Sequence, residues 1–259
     1  LKKKKDKTVA KNGSDEIPEY ELVDTQRPVT IHDLLTHTSG LGSGGTGTAV
    51  ADWGRPKESD TLATWIPKVA AGPLDFQPGS QWRYSGTVGL DVVARIIEIV
   101  SGTPFNEFVQ HRIFDPLDMK DTYWNVPEEK QKRMMAIPNN KGAFYPASYF
   151  SGSIGLVSTT RDYLHFEQML LNQGTLFGNQ LLKPESVAMM TTNQVGDLFG
   201  KGGKSSGGGM GFGYTVSIVQ DPEQAKTGRG AGAFGWGGAA GTVSWTDPSA
   251  ELTAVVMVQ

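Results

Sequence analysis

The sequence contains no cysteine, and that absence removes several chemistries together. Disulfides, thiolate metal sites and a cysteine nucleophile are all excluded. Long apolar runs are missing too: none approaches the roughly 20 residues that a membrane-spanning helix needs. Histidine is scarce, with four in 259 residues, and His32 and His37 are five apart rather than four. Their rings then lie on different sides of a helix, which disfavours a shared metal and leaves His37 a capping or turn-locking role. A strong net charge is absent as well, because 24 basic and 27 acidic residues give −3. That charge is uneven: residues 1–11 hold six lysines and one aspartate, leaving −8 for the remainder. A lysine arm can track a polyanion or a membrane surface. No aromatic residue interleaves with these lysines and the body is acidic, so a solvated segment and no nucleic-acid partner are expected.

What is present is an ordinary globular composition, 38% hydrophobic and 20% charged. A chain of this length can bury a sizeable core. The sequence divides into a polar segment over 1–28, a mainly helical region over 29–195 and a glycine-rich, strand-forming region over 196–259 of the same domain. In the helical part, Thr30 is a plausible N-cap for a helix carrying Ile31, Leu34 and Leu35, with Gly40 as its stop. Gly42 to Gly47 reads as a flexible loop. Gln77-Pro78-Gly79-Ser80 is a turn, since Pro presets φ and Gly tolerates the unusual angle. Leu90, Val93, Ala94 and Ile97 then recur at helical spacing, and Gly102 ends that helix. Tyr84 is thereby held between a turn and a helix entrance. A lone tyrosine there reads as a core residue with a satisfied hydroxyl unless something else gives it chemistry.

Thr103 and Pro104 read as the N-cap and first turn of a helix through Ile113. Residues 125–150 lack a period and read as surface loops. A helix from Arg161 carries Tyr163, Phe166, Met169 and Leu170 inward and stops at Gly174, and another runs from Lys183-Pro184 to about Thr191. Beyond it the period changes. Sixteen of the 33 glycines lie between Gly196 and Gly241. Tyr214, Val216 and Ile218 alternate with Thr215 and Ser217 as in a half-buried strand. Ala233–Trp236 and Thr242–Thr246 are two further strands, and Leu252–Val258 is apolar enough for a central one. Helices followed by an antiparallel meander make an α+β fold.

Three short matches are set aside on context. Gly203-Lys204-Ser205-Ser206-Gly207 spells a nucleophile elbow but lacks the strand before it and the helix after it. The same Gly-Lys-Ser would need a glycine at Leu198 to be a phosphate loop. Lys226-Thr227-Gly228 lies in a loop rather than on a strand. Two features survive: Tyr84, and Trp236-Gly237-Gly238-Ala239-Ala240-Gly241-Thr242 on a sheet strand. Strand glycines let a ligand approach closely, and amides beside them can stabilise an oxyanion.

Five blocks in order, TIHDLLTHTSGL, PGSQWRYSGTVGLDVVARIIEIVSGTPFNEFV, RIFDPLDMKDTYW, GLVSTTRDYLHFEQMLLNQG and FGWGGAAGTVSWTDP, resemble the serine β-lactamase-related hydrolases. That superfamily includes class C β-lactamases, D-Ala-D-Ala carboxypeptidases and esterases of the β-lactamase fold. The resemblance covers Val29 to Gln259 and implies a β-lactamase/transpeptidase-like fold truncated at both ends. It implies that Tyr84 is the tyrosine of the second motif, which helps activate the nucleophile and protonate the leaving group. It implies that Trp236, Gly237 and Gly238 are the substrate-binding third motif, as Trp-Gly-Gly in esterase-like members. Ala239 then contributes its backbone N–H to the oxyanion hole. Gly86 stands where β-lactamases carry the asparagine of Tyr-x-Asn, so the amide that contacts a β-lactam side chain is gone. The first motif, Ser-x-x-Lys, is absent, since no serine here has lysine three positions later. It is expected upstream of this chain, as is any targeting signal. The expected activity is that of a carboxylesterase on short-chain esters, with a small-molecule ester or amide substrate and no metal or organic cofactor. A β-lactamase or D-amino-acid peptidase, or a non-catalytic relative binding peptidoglycan fragments or a partner, are the alternatives. Compartment and oligomeric state are left open.

Overall fold

The computed structural model describes residues 2–3, 19–135, 147–201 and 208–258. Most of the lysine arm and the Gly203–Gly207 match therefore lie outside the described residues. Two short paired strands, β1 (Lys2–Lys3) and β2 (Tyr20–Glu21), precede the helices. Those are α1 (Ile31–Leu35), α2 (Thr46–Ala51), α3 (Leu62–Ala70) and α4 (Gly89–Ser101). Next come α5 (Phe105–Val109), which runs into a π-helix over Gln110–Phe114, then α6 (Glu128–Gln131) and α7 (Thr160–Leu171). A small hairpin, β3 (Thr175–Leu176) and β4 (Asn179–Gln180), leads to α8 (Pro184–Met190) and α9 (Leu198–Lys201). The main sheet is β5 (Met210–Phe212), β6 (Ser217–Val219), β7 (Phe234–Gly237), β8 (Val243–Asp247) and β9 (Leu252–Val256), with α10 (Pro222–Ala225) after β6. Its strands pair antiparallel in chain order, so the α+β architecture with a closing meander is what the chain adopts.

Caps explain where the helices begin. The Thr30 side chain takes the Asp33 amide while Asp33 returns to the Thr30 amide, a reciprocal capping box. Thr159 takes the Asp162 amide at the start of α7. Helix α4 ends at Gly102, whose φ of 69° is the left-handed conformation glycine adopts freely. The cap of α5 is Pro104 rather than Thr103, and the helix widens to π geometry before it reaches Phe114.

Several expectations change. Helix α1 stops at Leu35, well before Gly40, because His37 takes φ of 57° and turns the chain. The Gly42–Gly47 stretch is pinned by Asp75, which accepts both the amide and the hydroxyl of Ser43 and of Thr48. Tyr214 and Thr215 form a turn rather than a strand, with Thr215 at φ of 67°, and β6 begins only at Ser217. The glycine-rich region before them supplies α9 and β5. Among the described residues strand β9 lies at the edge of the sheet and is bonded to β8 alone.

Three apolar clusters hold the layers together. Leu62, Trp65, Ile66 and Val69 of α3 pack with Val88 and Ala94 around α4. Val109, Phe114, Met169, Leu170 and Val187 meet Ile218 and Phe234 of the sheet. Helix α7 lies across β8 and β9. The third cluster, Trp82, Val195, Phe199 and Phe212 with Trp236 against it, joins the segment before α4 to the sheet.

Buried carboxylates tie these layers further. Asp33 accepts a bidentate pair from Arg27 at 2.6 and 2.7 Å, and also takes Thr30 and Thr38. Burial alone would raise its pKa, but the hydrogen bonds from Arg27, Thr30 and Thr38 outweigh that and hold it well below the usual carboxylate range. Asp91 of α4 accepts the Tyr149 and Ser151 hydroxyls at 2.8 and 2.6 Å, and burial nonetheless pushes its pKa up. Burial also raises Glu167 of α7, against hydrogen bonds from Ser244 and Thr246 of β8.

Candidate active site

The candidate site is assembled by segments far apart in sequence. Residues 75–85 run alongside 37–40 as a bonded pair: Asp75 donates to the Gly40 carbonyl at 2.7 Å, Gly79 to Thr38 at 2.8 Å and Arg83 to His37 at 3.1 Å. Gly79, at φ of 79°, makes the turn where the backbone passes close to the Arg27 guanidinium. Trp82 then points inward against Phe199 and Phe212, with ring centroids at 4.7 and 5.3 Å. Ser85 is buried and its hydroxyl accepts the Gly89 amide at 3.0 Å, capping α4 from four residues upstream. Tyr84 lies between them and is 46% exposed. Its hydroxyl has no hydrogen-bond partner among the described residues.

The sheet supplies the facing wall. The Trp236 ring stands 5.4 Å from that of Tyr84 at 41°, so the fold places beside each other the two features that survive in the sequence. Trp236 and Gly237 end β7, but Gly238 and Ala239 belong to the hairpin turn to β8 rather than to a strand. Gly238 donates to Thr242 at 2.7 Å and Gly241, at φ of 94°, donates back to Gly238 at 3.1 Å, which closes that turn. Ala239 is exposed within it. Gly86 is close to the phenol: a Cβ there would stand 3.0 Å from Tyr84 Cε1. The ring therefore rests over a position that has no side chain.

His37 is the residue that sequence reasoning placed in a turn without placing it here. It is buried, and its Nδ1 accepts the Ser85 amide at 3.3 Å. Its ring meets those of Tyr84 at 4.8 Å and Phe212 at 5.5 Å. Burial lowers its pKa to about 4, so the ring is neutral at pH 7. Phe199 carries no signal in the sequence, and only the alternation within Met210–Phe212 marks Phe212. Lys226-Thr227-Gly228 begins at the left-handed end of α10, off the sheet strands. No group of three or more metal-ligating side chains occurs among the described residues.

A family model described as Beta-lactamase matches residues 11–259. Protein Rv1367c of Mycobacterium tuberculosis is 33% identical over 258 residues, covering 90% of this chain and 63% of that protein. Esterase EstB of Burkholderia gladioli is 31% identical over 278 residues, covering 93% of this chain and 68% of EstB. Among solved structures, EstCE1, described as a hydrolase with promiscuous acyltransferase activity, has a TM-score of 0.71 at 25% identity, over 89% of this chain and 67% of that one. The chain thus spans about two thirds of the length of these relatives.

Proposed function

Since the chain belongs to the β-lactamase family, we propose that it carries the tyrosine side of a serine-hydrolase site that cleaves short-chain carboxylic esters through an acyl-enzyme. The observation that carries this reading is the pairing of a half-exposed Tyr84 phenol, whose hydroxyl has no hydrogen-bond partner among the described residues, with the Trp236 ring at the end of β7, 5.4 Å away. The nucleophile is a serine followed three positions later by lysine, supplied from outside these 259 residues, since no serine here has that spacing. Its Oγ attacks the ester carbonyl and its proton passes toward the lysine and Tyr84. The Ala239 N–H helps hold the oxyanion. Collapse expels the alcohol, which takes its proton from Tyr84, and water then releases the acid from the acyl-serine. EstB, an esterase by name, supports the ester substrate class.

Trp236 offers no cation for a carboxylate, and Gly86 offers no amide for an acyl side chain. Charge-assisted hydrogen bonds are the stronger class, so a β-lactam loses more at this site than a neutral ester does. The test joins this chain to its Ser-x-x-Lys segment and compares kcat/KM for p-nitrophenyl butyrate with that for nitrocefin. The ester is expected to be clearly preferred. Equal or better turnover of nitrocefin refutes the esterase reading, and no acyl-enzyme with either substrate favours a binding protein.

A further inference from the structure

We propose that His37 is a positioning residue for Tyr84: its main-chain carbonyl and its ring nitrogen take the two amides that flank Tyr84, while its ring braces the phenol. This rests on the reading of Tyr84 as the acid–base group and adds the residue that holds it there. The Arg83 amide donates to the His37 carbonyl at 3.1 Å and the Ser85 amide to His37 Nδ1 at 3.3 Å. One residue thus fixes the backbone on both sides of the phenol. A donor on Nδ1 assigns the ring proton to Nε2 and requires an uncharged imidazole, because a protonated Nδ1 is itself a donor. Burial supplies that state at neutral pH.

The backbone of His37 marks it further. Its φ of 57° is a conformation in which glycine, asparagine and aspartate are commoner, and it costs a bulkier residue on the order of 1 kcal/mol. The turn beneath it is stiff: Thr38 donates its amide to the Asp33 carbonyl at 2.9 Å and its hydroxyl to the Asp33 carboxylate at 3.1 Å. Above, the His37 ring meets the Tyr84 ring edge-on at 67°, and Trp236 and the bare Gly86 position bound the same phenol. Tyr84 is gripped at its backbone and ring while its hydroxyl stays open to a substrate. A displacement of about 1 Å at such a group costs roughly 100-fold in rate.

Two variants separate the parts of the clamp. His37→Gly accepts the left-handed backbone and keeps the carbonyl but removes the ring. His37→Asn also accepts that backbone and keeps a short side-chain acceptor. The first arm needs no activity: amide hydrogen exchange on the 259-residue chain. Exchange at Ser85, relative to Arg83, is expected to quicken by at least about 10-fold in His37→Gly and by far less in His37→Asn. Unchanged protection of Ser85 in His37→Gly overturns the clamp.

The second arm is a double-mutant cycle in the full-length enzyme. His37→Gly is expected to lower kcat by about 10- to 100-fold with KM within about 2-fold, and His37→Asn to recover most of that loss. In a Tyr84→Phe background His37→Gly should cost almost nothing more. A loss that persists there makes His37 a packing residue and overturns the proposal. Full kcat in Tyr84→Phe alone refutes the catalytic reading of Tyr84 instead, and hydrogen exchange then decides the clamp by itself. If His37→Gly does not fold, His37→Asn decides: Ser85 protection and kcat that stay at wild type together or fall together support the clamp, and a change in one without the other overturns it.

Discussion

Acidification from pH 7 to pH 4.5 should destabilise this chain more than a His37→Asn variant, by an amount that the burial of one imidazole sets. In the unfolded chain His37 titrates near the ordinary value of about 6.5. In the fold it is 2% exposed and burial lowers its pKa to about 4. The folded value is the lower one, so the unfolded chain binds the proton first as pH falls. The stability associated with the neutral ring is complete above pH 6.5 and is lost as pH drops toward 4. At about 1.36 kcal/mol per pKa unit, the loss is about 2 kcal/mol by pH 4.5 and about 3 kcal/mol by pH 3. Other groups titrate nearby: Asp33 and Asp75 have lowered pKa values, while those of Asp91 and Glu167 are raised. They are common to both proteins, so the difference between wild type and variant isolates His37. Asparagine tolerates the left-handed backbone but does not titrate, so the variant has a lower stability at pH 7 and a flatter profile below it. Urea denaturation followed by far-UV circular dichroism at half-unit pH steps measures both curves. A gap between them that stays constant from pH 7 to 4.5 refutes the buried, neutral imidazole.

On the proposed esterase reading, Tyr84→Phe in this chain joined to a Ser-x-x-Lys segment should lower kcat by about 100- to 10,000-fold, the usual cost of losing acid–base help. Its melting temperature should hardly move, because the ring contacts with His37 and Trp236 persist and the hydroxyl has no partner to lose among the described residues. Near-full kcat would make Tyr84 a packing residue. The 259-residue chain alone should not turn over p-nitrophenyl acetate, and turnover that vanishes in Tyr84→Phe would reveal a nucleophile within it. Gly86→Asn should lower kcat/KM for butyrate esters by about 3- to 5-fold without gaining nitrocefin hydrolysis, since a 3.0 Å Cβ contact displaces the phenol by tenths of an ångström. Unchanged ester kinetics would show that Tyr84 has room to yield.

Much of the local structure was legible in the sequence because its causes are local. The apolar spacing from Leu90 to Ile97 and the glycine after Ser101 determine α4, and the hydroxyls of Thr30 and Thr159 determine where α1 and α7 begin. Alternation and turn residues determine β7 and β8 in the same way. Where a partner from elsewhere decides the matter, the chain itself carried no signal. Gly42–Gly47 looks flexible until Asp75 folds back and takes four hydrogen bonds from Ser43 and Thr48. Leu252–Val258 is apolar enough for a central strand, yet strand order depends on pairing, and only β8 pairs with β9 among the described residues. The candidate site follows the same division. Its residue types were readable as Tyr84 and Trp236-Gly237-Gly238, but their separation of 5.4 Å exists only once the cluster of Trp82, Phe199 and Phe212 draws the two segments together. The neutral state of His37 is likewise a tertiary property, because an imidazole gives up its charge only when the surrounding chain removes its water.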